Sequence, residues 1–491
     1  MNKLLYRLIF IITPLTFTAC SKSFLEVVPL GSQVASATAD YDKLMNSPYL
    51  YMARGGGGWQ EEVLMGDDLA AEDGLFSTVS QHMTRLFQWQ DIVYYPNDAY
   101  QRPPLLLQSL SSNQYQLNKI INEVMNSTDG TDAQKRSIRA EARATRAWCN
   151  FQLINIYAKP YLAATAASDP GFPIITQADV SATVFKRGTV QEMYDFIIKD
   201  FTESIPDLPV NPAIRTRMSK AAAEGLLGKV YLFMGRYSDA LPLLNAAFND
   251  LGTGGAKLYD YNQTLGTGGA FLPINRNTGP ANGPGNNFTD LTESVLFKVY
   301  YNGGYNGNMY GNNGLVLTPQ TAALFDTSDL RLQLYTNKNP DGSLNAGGRL
   351  RKYGIQYSRY GLELSELYLL RAECKARLND LTGAVADVEI LRVHRMPTAD
   401  APVPAAVAGD RVALVKFIIE ERIREFAMEG YRWFDMRRLS VDPLFSGITF
   451  THTLYNKDGS TVAYTLRQPD RLVMQLPYNF LQYNQDMPNN P

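Results

Sequence analysis

Between residues 418 and 439 the chain reads IIEERIREFAMEGYRWFDMRRL, the stretch that most narrows what it can fold into. Ile419, Ile423, Phe426, Gly430, Trp433 and Phe434 recur at or near spacings of three and four, which a helix gathers into one apolar stripe. Most other positions are ionised: Glu420, Glu421, Arg422, Arg424, Glu425, Glu429, Arg432, Asp435, Arg437 and Arg438. Opposite charges three apart, as in Glu421/Arg424 and Glu429/Arg432, can pair on a helix surface. A plain amphipathic helix with a solvated face is the simpler alternative. It leaves unexplained why charges and large aromatics interleave so densely around Gly430. The pattern therefore predicts a helix packed on more than one side. Gly430 would admit another backbone, and carboxylate–guanidinium pairs would satisfy one another.

Helical partners are legible upstream. Residues 133–157 carry Ile138, Ala142, Thr145, Trp148, Phe151 and Leu153 and stop before Pro160, which cannot continue a helix. Ser219 opens a run with Ala221, Ala222, Gly225, Leu226, Tyr231 and Leu232 that closes at Gly235, and Ala240, Leu243, Leu244 and Ala247 form the next. A further pair spans 365–378 and 381–395, and shorter helices are expected over 32–51 and 115–124. A helix of small and large residues, a tight turn and a partner helix opening near Ala resemble the tetratricopeptide repeat. Such pairs cannot bury their faces alone and must stack. The expected fold is mostly α: a tetratricopeptide-repeat-like helical scaffold with pairs at about 98–160, 189–250, 361–396 and 410–439. Long loop insertions and a few short β-hairpins interrupt it, and one hairpin is read about Asn456-Lys457-Asp458-Gly459.

The largest insertion runs from about 250 to 317. It repeats Leu-Gly-Thr-Gly-Gly-Ala at 251–256 and 265–270, then continues into Asn/Gly and Tyr/Asn/Gly clusters, which is turn chemistry. It reads either as a loop without function or as a binding loop, since function concentrates on loops held by rigid scaffolds. Tyr rings stack on the C–H face of a pyranose while neighbouring amides bond its hydroxyls. Trp59 follows four glycines, Gly55 to Gly58, which lack the Lys-Ser/Thr of a phosphate loop. Trp59, Tyr300, Tyr301, Tyr305 and Tyr310 are the candidate ligand contacts.

Catalytic signals are thin. His82, His394 and His452 are the three histidines, and none stands at a ligand spacing to another His or Cys. Asp67, Asp68, Glu72 and Asp73 read either as a metal cluster or as caps and turn bonds; no catalytic residue, metal or cofactor is assigned. Carboxylate pairs for glycoside cleavage are defined by spatial separation, so a lipoprotein glycosidase stays open as the alternative. With 46 Lys+Arg against 48 Asp+Glu, a nucleic-acid partner is not expected. Cys149 and Cys374 lie in helical patterns and are expected as buried free thiols. At the start of the chain, Lys3 and Arg7 precede an apolar run from Leu8 to Phe17 that ends in Thr18-Ala19-Cys20. The run is too short for a comfortable membrane span and reads as an export signal. Small residues ending at Cys20 resemble a lipoprotein cleavage box, with residues 1–19 removed and Cys20 acylated; an ordinary secretory signal is the alternative.

The string ERIREFAMEGYRWFDMRRL resembles the C-terminal helix of the SusD/RagB family, which reads approximately ERxxEFxxEGxRWFDxxR. Phe24-Leu25 with Pro29, Met65-Gly66-Asp67-Asp68, the Tyr115/Asn118/Ile121 helix and Leu476-Pro477 with Asn484 add to the resemblance, Tyr478 standing where the family carries Ile. The resemblance implies a single SusD-like domain over 20–491, lipid-anchored in the outer membrane and facing the exterior. It implies a non-catalytic protein that captures a nutrient and passes it to a SusC-like TonB-dependent transporter. The ligand would be a glycan or oligosaccharide, or a peptide as in the RagB branch. A scaffold that binds only protein is a weaker alternative.

Overall fold

The computed structural model describes residues 35–54, 60–77, 79–98, 104–252, 254–301, 314–354 and 356–491. The export signal, Cys20, Trp59, Tyr305 and Tyr310 lie outside the described residues.

Helices dominate. α1 (Leu105–Glu123) packs against α2 (Asp132–Tyr157), the longest of them at 26 residues. Thr131 starts α2 with a capping box, its hydroxyl accepting the Gln134 amide while the Gln134 side chain accepts the Thr131 amide. From Ala140 onward nearly every α2 residue is buried, because α1 and α3 (Val190–Ser204) flank it. α4 (Lys220–Phe233) and α5 (Tyr237–Asn249) form the pair expected around Gly235, so the segment 189–250 holds three helices where a pair was expected. α6 (Leu364–Arg377) lies against α5, α7 (Leu381–Arg392) and α8 (Arg411–Phe426). α9 (Tyr431–Ser440) completes the set. One buried cluster runs from Tyr41 to Met487, and a second joins α6, α7 and α8 through Leu369, Val388, Leu391, Leu414 and Ile418.

Strands are short and pair mostly across distant segments. Val299–Tyr301 lies between Met52–Arg54, parallel, and Tyr357–Arg359, antiparallel. Leu69–Glu72 pairs antiparallel with Leu315–Leu317 and parallel with Thr451–Tyr455, which forms the expected hairpin with Thr461–Thr465. Short pieces of the insertion read as loop, Ser294–Leu296, Val299–Tyr301 and Leu315–Leu317, are thus held in sheets. His452 on that hairpin lies in the core, stacked between Phe87 and Trp89 with its two ring nitrogens 2.6 Å from the Phe87 and Gly66 carbonyl oxygens. Cys149 and Cys374 are buried free thiols, as expected. Among the described residues, no helix is long and apolar enough to cross a membrane.

The stretch 418–439 departs from its expectation in one respect. It is two helices, because Met428 (φ 62°) and Gly430 (φ 89°) adopt left-handed backbone between α8 and α9. Asp68 holds this hinge by accepting the Met428 amide at 2.7 Å. Gly430 faces the side chains of Gln60, Glu62 and Val63, so conformation and not backbone approach is what requires glycine. Packing on several sides is observed: Glu421, Arg422, Trp433 and Arg437 are all buried. Gly430→Ala should cost about 1–2 kcal/mol of folding free energy from the left-handed backbone alone. Urea denaturation measures it, and an unchanged midpoint would refute the conformational argument.

Candidate functional site

The hinge is wired to distant segments by ion pairs. Arg331 is fully buried and donates to Asp329 and Glu421, both at 2.7 Å, and to Glu425 at 3.1 Å. Glu421 also accepts from Arg392 at 2.9 Å and from Arg424 at 2.8 Å. Arg395 joins Glu425 to Glu293 of the insertion, each at 2.7 Å. The local Glu421/Arg424 pair forms as expected, but Glu429 pairs with Lys352 and Arg432 with Asp67. Glu72 accepts from Arg349 and Arg351. The acidic cluster at 67–73 is therefore occupied by guanidinium groups and backbone amides. Among the described residues no group of three or more His, Cys, Asp or Glu is placed to hold a metal ion.

This wiring walls an open cleft between residues 280–294 of the insertion, the 331–335 and 352–354 segments, and the end of α8. Both signs of charge meet on its walls, through Arg331, Lys352 and Arg359 against Asp290, Glu293 and Glu425. Alternating donors and acceptors of this kind suit a neutral ligand rich in hydroxyls. Local turn chemistry shapes the rim. Asn287 accepts the Thr289 amide at 2.9 Å, Asp290 accepts the Thr292 amide at 3.0 Å, and Arg359 donates to the carbonyls of Asn287 and Asp290. Gly279 (φ 80°) lies under the Tyr353 ring, where a Cβ would collide with it.

Glu363 lines the same cleft and accepts from Ser294 at 2.7 Å. Burial pushes its carboxyl up to about 8, against the opposing pull of Arg359 and Ser294. A carboxyl raised in the fold holds its proton where the unfolded chain has lost it, so it destabilises progressively between about pH 4.5 and about pH 8. Glu363→Gln should therefore gain stability over the wild type, on the order of 1–3 kcal/mol near pH 8 and close to nothing near pH 4. Denaturant titrations at the two pH values check this; a gap of equal size at both would contradict it.

Beside the cleft runs a row of rings. Tyr301 packs against Tyr357 at 5.2 Å between centroids with the rings tilted by 31°, and Tyr357 against Phe288 at 5.7 Å and 48°. The Tyr357 amide donates to the Gly285 carbonyl at 2.9 Å, tying the row to the cleft wall. Tyr301 and Tyr357 are partly exposed and Phe288 is exposed, so the row presents ring surface to solvent.

Tyr300 corrects the sequence reading. Successive strand residues point to opposite faces, and Tyr300 takes the inner one at 6 % exposure, packed into the core and not presented to solvent. Tyr301 takes the outer one. Phe288, Tyr357 and Arg359 were missed, although Tyr353, Tyr357 and Tyr360 repeat the Tyr/Gly composition that singled out 300–310.

Comparison with known proteins follows from this geometry. Residues 23–232 match the family described as starch-binding and associating with the outer membrane, and residues 273–491 match the SusD family. A SusD superfamily protein from Bacteroides thetaiotaomicron is similar at 18 % identity and TM-score 0.68, with 93 % of this chain and 100 % of that one covered. A SusD superfamily protein from Bacteroides vulgatus gives 20 % identity, TM-score 0.65 and coverage of 93 % and 99 %. A SusD-like carbohydrate binding protein from Bacteroides vulgatus gives 14 %, 0.63, and 92 % and 97 %. No curated protein matches the chain.

Proposed function

Since the chain belongs to the SusD/RagB family, we propose that it is a carbohydrate-binding protein of the outer membrane, which captures an oligosaccharide and hands it uncut to a SusC-like TonB-dependent transporter. The observation that carries this reading is the ring row Tyr301–Tyr357–Phe288 flanking a polar cleft. Each exposed ring presents its own apolar face to a pyranose C–H patch, while cleft amides and hydroxyls bond the equatorial oxygens. Trp59, Tyr305 and Tyr310 join the proposed contacts on the strength of their loop setting in the sequence. Acylated Cys20 supplies the tether, and one domain over 20–491 carries the whole function. The starch-binding description of the first matched family and the carbohydrate-binding name of a structural neighbour support the ligand class.

Its fitness for binding without cleavage has a chemical basis. Among the described residues, Glu363 is the cleft carboxyl that keeps a proton, but it has no free second carboxylate beside it: Glu293 and Glu425 are held by Arg395, Glu429 by Lys352, and Asp290 accepts from the Tyr259 hydroxyl. A glycosidase needs one carboxyl free to protonate the leaving oxygen and a second free to attack or activate water. Affinity electrophoresis across a polysaccharide panel, with reducing-end assays on the same mixtures, tests the proposal. Retardation by at least one polysaccharide without new reducing ends is expected; hydrolysis of the retained ligand would overturn it, as would retardation by none.

A further inference from the structure

On the other side of the α8–α9 hinge lies a second pocket, half open to solvent. Its walls are the rings of Phe151, Phe233, Tyr360, Tyr431 and Phe434, into which three polar side chains converge: Gln60, Glu62 and Gln152. These are 4 %, 4 % and 6 % exposed. Among the described residues the buried Tyr431 hydroxyl lacks a hydrogen-bond partner, while the Glu62 carboxyl meets its own backbone amide and pairs with no cation. Buried polar groups are ordinarily satisfied. An unsatisfied hydroxyl beside three buried polar side chains, all lining one aromatic pocket, offers the donor and acceptor set of a ligand.

The chemistry of the walls selects the ligand. Lys229, the cation already present, is neutralised by Glu366 at 2.8 Å. Its ammonium stands 5.8 Å from the Phe233 ring and 5.7 Å from the Tyr431 ring, so these ring faces already draw a cation. Glu429 is neutralised by Lys352, and Glu61 faces His82 at 3.5 Å. That leaves Glu62 as the cavity's one carboxyl without a counter-charge. Burial and neighbouring Glu61 push its carboxyl up to about 8, and the phenols of Tyr94, Tyr157, Tyr300 and Tyr360 feel its charge.

We propose that this cavity is a second binding site, separate from the glycan cleft, for a small organic ammonium compound whose cation is met by Glu62 and the aromatic walls. The apolar body of the ligand lies along Phe151 and Phe434, and Gln60 and Gln152 accept its remaining N–H or O–H groups. Binding at neutral pH ionises Glu62, and the proton leaves to solvent while the ligand keeps its own.

Isothermal titration of the full chain with n-butylammonium chloride, against n-butanol as the uncharged isostere, tests the site. The ammonium should bind saturably and at least ~10-fold more tightly than the alcohol, and its affinity should rise from about pH 6 to about pH 8. Glu62→Gln should abolish that preference, and thermal denaturation should show that variant folded, since it removes an uncompensated buried acid. Equal binding of butanol, an affinity flat across this pH range, or undiminished ammonium binding by folded Glu62→Gln would each overturn the site. Absence of any saturable binding at millimolar probe would overturn it as well.

Discussion

Glu421→Gln is expected to cost about 3–5 kcal/mol of folding free energy at neutral pH, the cost of breaking a buried ion pair by removing one partner. Glu421 is fully buried and accepts from Arg331, Arg392 and Arg424 at 2.7, 2.9 and 2.8 Å. Burial alone would raise its carboxyl; the guanidinium groups of Arg331, Arg424 and Arg392 outweigh that and hold it at about 2. The substitution leaves these cations under-compensated inside the protein, with Asp329 and Glu425 still on Arg331. The sign of the pH dependence follows from the depressed folded value. The stabilisation is complete above the unfolded carboxylate range near 4.5 and is lost as pH falls from there toward 2. Urea denaturation of wild type and variant should show the gap at pH 7 and its narrowing below about pH 4. A difference under about 1 kcal/mol at pH 7 would mean the network is energetically idle.

Truncating the ring row is the second large effect. Tyr301→Ala and Tyr357→Ala should each weaken binding of the retained glycan by about 1–3 kcal/mol, and the double variant by more than either. The two rings pack against each other at 5.2 Å, so their losses are coupled and need not add. Tyr300→Phe serves as the control, because its hydroxyl is buried on the opposite face of the strand. Titration of each variant with the glycan measures the loss. Wild-type affinity in the double variant would remove the row from the binding site.

Much of the scaffold was legible because its signals are local. The Thr131/Gln134 box, the Ser219 cap and Pro160 each act within a turn or so of the helix end they define. The break inside 418–439 was hidden, because the apolar spacing runs on through Gly430 and a glycine within a helical pattern does not announce a left-handed turn. Of the proposed ring row, the sequence singled out one member and not its partners. Tyr301 lies on the row, Tyr300 turned inward, and Phe288 and Tyr357 join it from segments far along the chain.

By itself, the sequence determined the helices, their caps and the family, since periodicity, capping and a nineteen-residue motif are properties of contiguous residues. Only the tertiary structure decided which carboxylate meets which guanidinium. Glu429 could have paired with Arg432 three residues away and instead meets Lys352. Folding also decided which of two adjacent tyrosines faces solvent, because strand pairing sets the parity of a β-strand and no residue in it does so alone.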